Sequence, residues 1–248
     1  MCTSENHPQG EMHDSAWLTF TDEAGSHQSY TFKQARWAVH AVANAIKPLA
    51  ENARSCVVVD LPNCPLFLWT MLACAESGVP FVALNHRLTR DEKSLRLAQL
   101  APALEPHLVI DNSWSEIADT SHPCDDSLAW SPTSILESAD PDRIAVVMFT
   151  SGTTGTPKAT ALTWGQLRAS AVASNRSLGC NAASTWQAAL PLYHIGGLQV
   201  ALRSMLAGAR LLLYARSNAE RLLEDAIHED CTHISVVDKM LQDLIAAD

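Results

Sequence analysis

The stretch Thr150-Ser151-Gly152-Thr153-Thr154-Gly155-Thr156-Pro157-Lys158 follows directly on the apolar run Ile144 to Phe149 and gathers small hydroxyls, two glycines and a lysine. Glycines let backbone N–H groups come close to a ligand, and successive N–H groups in a turn form a concavity that binds anions. Hydroxyls add donors, and Lys158 adds a mobile positive charge. The chemistry that suits these residues is the cradling of a polyphosphate. The P-loop of nucleotide hydrolases is excluded, because it needs four residues between its first Gly and its Gly-Lys pair, and then a helix. Here Gly152 and Gly155 stand too close together, and Pro157 precedes Lys158. Ala159 to Leu162 read as a second short strand, so the expected geometry is a hairpin-like loop. The plain alternative, a Ser/Thr/Gly-rich surface turn, has no use for this combination.

His194 is the second candidate, set between Tyr193 and the pair Gly196-Gly197. A lone histidine is more often structural, and nothing marks this one as a general base. Arg203 falls about one and a half turns beyond the His194 loop on a helix expected from Leu198. It could bind a carboxylate bidentately, the alternative being a solvated helix arginine. Gln199 and Ser235 are further polar candidates, and His233 reads as structural. The acidic pairs Asp91-Glu92 and Glu229-Asp230 read as solvated helix ends, and no metal is assigned to them.

Alternating strands and helices must position these residues. Trp17 to Phe20 and Ser29 to Phe32 flank the turn Glu23-Ala24-Gly25-Ser26, which predicts a hairpin. Helices are expected over Lys33 to Ala50, Pro65 to Ser77, Gly165 to Leu178, Leu198 to Leu206, Ala219 to Ile227 and Lys239 to Ala247. Another starts at the capping box Thr89-Arg90-Asp91-Glu92. Strands are expected over Ser55 to Leu61, Val79 to Leu84, His107 to Ile110, Ile144 to Phe149, Thr185 to Leu190, Arg210 to Tyr214 and Thr232 to Val237. Residues 112–141 show no sustained periodicity and are expected to wrap the surface, while the polar residues 1–14 are expected to be poorly ordered. The class is α/β, with mixed, mostly parallel sheets flanked by helices.

At 248 residues the chain has ample length to bury a core, and a net charge of −10 argues against a nucleic-acid partner, which would call for a basic stripe. Seven cysteines show no metal-ligand or redox spacing, which suits a reducing cytoplasm. The apolar segment Leu66 to Ala75 is too short to span a bilayer, so no membrane partner is expected. The composition leaves homo-oligomer formation open.

The nonapeptide resembles the phosphate-binding loop of the adenylate-forming superfamily of acyl-CoA synthetases, luciferases and peptide-synthetase adenylation domains. Phe81-Val82-Ala83-Leu84-Asn85-His86-Arg87-Leu88-Thr89 resembles that family's early strand-to-helix segment, and Leu190-Pro191-Leu192-Tyr193-His194-Ile195-Gly196-Gly197-Leu198 resembles the motif lining its acyl pocket. Thr232 to Leu241 resembles the following strand and helix; with Leu202-Arg203-Ser204 it is most similar to the o-succinylbenzoate–CoA ligases of menaquinone biosynthesis. The resemblance implies that a carboxylic acid attacks the α-phosphate of ATP, pyrophosphate leaves, and coenzyme A captures the acyl-adenylate. It further implies that Thr150, Ser151, Gly152, Thr153, Thr154, Gly155, Thr156 and Lys158 hold the phosphates, and that His194, Gly196, Gly197, Arg203 and Ser235 border the acid. Lys158 and His194 are then the residues nearest the chemistry.

The family pattern continues past the matched segments. Absent here are its magnesium-binding acid, its ribose-binding Asp, its hinge and its small C-terminal domain with the catalytic lysine. Residues 15–248 are therefore expected as a partial adenylation large domain, inactive alone or completed by a separate C-terminal half. A non-catalytic nucleotide-binding or regulatory module of the same fold, or a ligase for another aryl or fatty acid, are the alternative readings.

Overall fold

A computed structural model describes residues 16–101, 103–115, 130–150 and 157–247. The expectation for residues 1–14 lies outside them. Two five-stranded sheets organise the chain, each with four parallel strands and one antiparallel edge. One sheet has the order β5 (Glu105–Ile110), β3 (Ser55–Val59), β4 (Phe81–Ala83), β6 (Ile144–Thr150) and β7 (Lys158–Thr163), the last antiparallel to β6. The other has the order β10 (His233–Ile234), β8 (Thr185–Ala188), β9 (Arg210–Tyr214), β1 (Ala16–Thr21) and β2 (His27–Thr31), with β1 and β2 forming the expected hairpin.

Strands buried on both faces read as continuous apolar runs, and the alternation of their side chains divides them between two cores. In β3, Val57 and Val59 join the large central core, whereas Cys56 and Val58 face a smaller one with Val82, Val147 and Leu100. The central core also holds Leu18, Leu211 and Leu213 of the other sheet, so the helices it contains lie between the two sheets. These are α1 (Phe32–Ile46), α2 (Pro65–Ser77), α4 (Pro132–Ser138), α5 (Trp164–Leu178) and α6 (Ile195–Ala207). Helix α3 (Arg90–Ala98) covers the outer face of the first sheet through Leu97, while α7 (Ala219–His228) and α8 (Asp238–Ala247) cover the second through Leu222, Met240 and Leu244.

Local chemistry sets the boundaries. Helix α2 is buried from Pro65 to Ala75, starts with Pro in its first turn and ends on Gly78 at φ 66, the left-handed cap that glycine adopts without penalty. Thr89 and Glu92 form the expected capping box of α3, and Thr163 with Gln166 form one for α5. Three expectations are corrected. The helix expected to reach Ala50 stops at Ile46, because Pro48 has no N–H to continue it and the chain tightens into a 3-10 turn over Lys47–Glu51. Within 112–141, Ser131 caps α4, which buries Ile135 and Leu136; residues 116–129 lie outside the described part. The strand expected over Thr232 to Val237 pairs only at His233–Ile234.

Candidate active site

The carboxyl ends of β4 and β6 open onto a cleft of about 620 Å³. In open α/β sheets this is where ligands bind. The end of β6 contributes Met148, Phe149 and Thr150, and the returning arm of the hairpin contributes Pro157, Thr160 and Leu162. Ala83, Asn85 and Leu88 come from β4 and the turn after it, Arg96 from α3, and Tyr193, His194 and Ile195 from the entry to α6. The wall is mostly apolar, with a few polar groups spaced along it, as suits a small organic ligand.

Thr150 and Lys158 face each other across the β6–β7 pair, with Thr150 Oγ1 donating to the Lys158 carbonyl at 3.4 Å. The expected hairpin arms are therefore present as an antiparallel pair. Lys158 is exposed. Ser151, Gly152, Thr153, Thr154, Gly155 and Thr156 lie outside the described residues.

His194 is the N-cap residue of α6 and makes no side-chain capping bond, so the first-turn N–H groups of that helix keep their donors free of side-chain partners. Its ring leans on Tyr193 at 4.6 Å, and Tyr193 meets His86 edge-on at 5.7 Å. Although the His194 side chain as a whole is exposed, crowding around the ring disfavours its charged form and holds its pKa below the ordinary imidazole value. His86 is lowered too, by burial first and then by Arg87, with Asp60 pulling the other way.

Two residues fix the path of this loop. A Cβ on Gly197 would run into the backbone carbonyls of Pro191 and Leu190, the latter at 2.6 Å, whereas one on Gly196 would only touch Leu190 Cδ1 at 3.6 Å. Asn63, 5% exposed, donates from Nδ2 to Leu190 O at 3.0 Å and Tyr214 O at 3.1 Å, and accepts from Leu192 N at 2.8 Å.

Other candidates stand elsewhere. The Arg203 guanidinium carbon lies 6.0 Å from the centroid of Trp186, which stacks on His233 at 4.6 Å and donates Nε1–H to Cys180 Sγ at 2.9 Å. Burial lowers the Arg203 pKa, with Cys180 opposing. Gln199 is buried and donates to Leu167 O at 3.3 Å, and Ser235 follows β10. None of the three lines the cleft. His233 is stacked on Trp186 and placed 3.1 Å from Leu178 O. Sequence reasoning missed Asn63, Asn85 and Arg96. For Asn63 and Asn85 the available signal was position, since each follows the carboxyl end of a parallel strand. Among the described residues no group of three or more His, Cys, Asp or Glu side chains could hold a metal ion, so these residues do not fit a magnesium site.

A family model described as AMP-binding enzyme matches residues 5–248, and the chain belongs to that family. A 2-succinylbenzoate–CoA ligase of Bacillus pumilus is 28% identical to it over 222 residues, which cover 88% of this chain and 46% of that protein. The solved structure of o-succinylbenzoate CoA synthetase from Bacillus subtilis in complex with the acyl-adenylate intermediate OSB-AMP superposes with a TM-score of 0.72 at 25% identity, covering 94% of this chain and 48% of that one. The same synthetase with ATP and magnesium ion superposes with a TM-score of 0.71 at 24% identity, covering 97% and 50%, a likeness of fold. The chain spans about half the length of these relatives.

Proposed function

We propose that this chain forms the phosphate- and acid-binding part of an ATP-dependent carboxylate–CoA ligase, with o-succinylbenzoate as the acid, acting in menaquinone biosynthesis in the cytoplasm. The observation that carries the reading is the convergence of Thr150, at the root of the phosphate hairpin, and His194, at the mouth of α6, on one apolar-walled cleft. The free cysteines at Cys56, Cys64, Cys74, Cys180 and Cys231 suit a reducing compartment.

In this reading the hairpin donors and Lys158 bind the β- and γ-phosphates of ATP. The acid carboxylate lies beside His194, one of its oxygens attacks the α-phosphorus, and the bond to pyrophosphate breaks. Charge spreads over several oxygens in that step, so fixed donors and positioning carry most of the rate. A neutral His194 can orient a carboxylate by donating a hydrogen bond, and it takes no proton, because the nucleophile is already ionised. The positive end of α6 favours negative charge at the same place. The thiol at the end of the pantetheine arm of coenzyme A completes the reaction, attacking the acyl carbon, forming the thioester and releasing AMP.

The test is o-succinylbenzoate-dependent ATP–pyrophosphate exchange by this chain supplied together with the separately expressed C-terminal half of a related ligase. The reading predicts exchange in the wild type above the level of Lys158→Ala, with the acid and nucleotide affinities depending on different residues. Wild-type exchange no greater than that of Lys158→Ala, for this acid and for a panel of aryl and fatty acids, would leave a nucleotide-binding module and overturn the ligase reading.

A further inference from the structure

We infer that Arg96 is an anion anchor of the cleft, taking an oxyanion of the ligand that occupies it. The inference rests on the ligase reading and adds a recognition element to the same site.

Among the described residues that line the cleft, Arg96 alone carries a permanent charge. Its guanidinium carbon lies 5.7 Å from the centroid of Phe149, the residue before the phosphate hairpin begins. Stacking of that kind holds the guanidinium plane while leaving its edge N–H donors available for a carboxylate or a phosphate. Sequence spacing pairs Arg96 with Glu92, one turn earlier on α3, as an ordinary i,i+4 ion pair. The structure commits Glu92 elsewhere: its Oε2 accepts from Thr89 N at 2.8 Å and from Thr89 Oγ1 at 2.9 Å in the capping box. Arg96 acts on the Glu92 carboxyl only as the smallest of the influences that lower its pKa, and no ion pair of Arg96 occurs among the described residues. Lys93, the other cation on this side of α3, is bound to Asp60 at 2.7 Å. A cation on an apolar wall, oriented by an aromatic ring and without a carboxylate partner among the described residues, is complementary to charge brought by a ligand.

The oxyanion has two sources under the ligase reading, the second carboxylate of the acid or a phosphate of coenzyme A. Calorimetric titration of wild type, Arg96→Gln and Arg96→Lys with o-succinylbenzoate, coenzyme A and ATP separates them. The expected result is a loss of about tenfold or more for one of the first two ligands in Arg96→Gln, partial recovery in Arg96→Lys, and ATP affinity within about twofold of wild type. Loss for the acid assigns the carboxylate, and loss for coenzyme A assigns the phosphate. Unchanged affinity for both, a loss confined to ATP, or an equal loss for all three ligands with a lowered melting temperature overturns the anchor and leaves the ligase reading standing. Wild-type protein that binds neither the acid nor coenzyme A overturns both.

Discussion

Asn63 and Leu192 are 129 positions apart in sequence and joined by a 2.8 Å hydrogen bond from the Leu192 N–H to the Asn63 side-chain oxygen. Through its amide nitrogen the same side chain holds the carbonyls of Leu190 and Tyr214. The turn after β3 in one sheet is thereby tied to the ends of β8 and β9 in the other, two residues before His194. Replacement by Asp keeps the acceptor for Leu192 but turns the donors that met two carbonyls into negative charge. Asn63→Asp and Asn63→Ala should each destabilise the fold by roughly 2–4 kcal/mol, since buried groups left unpaired cost about 1–3 kcal/mol each. Urea unfolding would show a lower midpoint at unchanged slope. A midpoint equal to wild type in both variants would mean that the loop does not depend on this amide.

The two adjacent glycines of the His194 loop should respond differently. At Gly197 an added methyl group meets backbone carbonyls that cannot rotate away, while at Gly196 it reaches only the end of a leucine side chain. Gly197→Ala should cost about 1–3 kcal/mol and weaken acid binding, because α6 must shift away from Leu190-Pro191. Gly196→Ala should leave both melting temperature and acid affinity close to wild type. Similar effects in the two variants would contradict the close approach at Gly197.

Much of this arrangement is legible in the sequence because it is local. The apolar runs of β3, α2 and β9, the Thr89–Glu92 capping box and the β6–β7 hairpin depend on residues near one another in the chain. Helix α4 was hidden because its seven residues are too few for a periodic signal to rise above the turn residues around it. The expected strand over 232–237 overran because β-branched residues such as Val236 and Val237 favour strands, yet pairing with β8 ends at Ile234. Within the site, His194 and Thr150 carried their own motifs, whereas Asn63 and Arg96 did not. The role of Asn63 exists only once two sheets are packed, and the availability of Arg96 depends on Glu92 choosing the helix cap over the i,i+4 pair.

Phosphate and acid recognition should separate by residue. Lys158 sits on the hairpin arm at the start of β7, and His194 lines the cleft at the entry to α6. Lys158→Ala should lower ATP affinity by roughly tenfold or more through the loss of a charge-assisted contact, with acid preference unchanged. His194→Ala should change the ranking among a set of aryl and aliphatic acids while ATP affinity stays within about threefold of wild type. Equilibrium titration of both variants with ATP and with the acid panel checks this. Equal effects on both ligands in both variants would remove the division of roles.

The depressed pKa of His194 gives the cleft a defined pH response. Its imidazole is neutral at pH 7 and gains a proton only below the ordinary value of about 6.5, whereas an ordinary carboxylic acid stays ionised down to about pH 5. Acid affinity should therefore be flat from pH 8 to about 6.5 and rise below it, as a cation forms beside the bound carboxylate. His194→Gln should lack the rise, and His86→Gln should keep it. Stability should move the opposite way. A histidine whose folded pKa lies below its unfolded one contributes stability that is present above the unfolded value and is lost as pH falls through the folded value. The denaturation midpoint of wild type should thus fall further on acidification than that of His194→Gln. Parallel binding profiles in wild type and His194→Gln would show that the titrating group of the cleft is another residue.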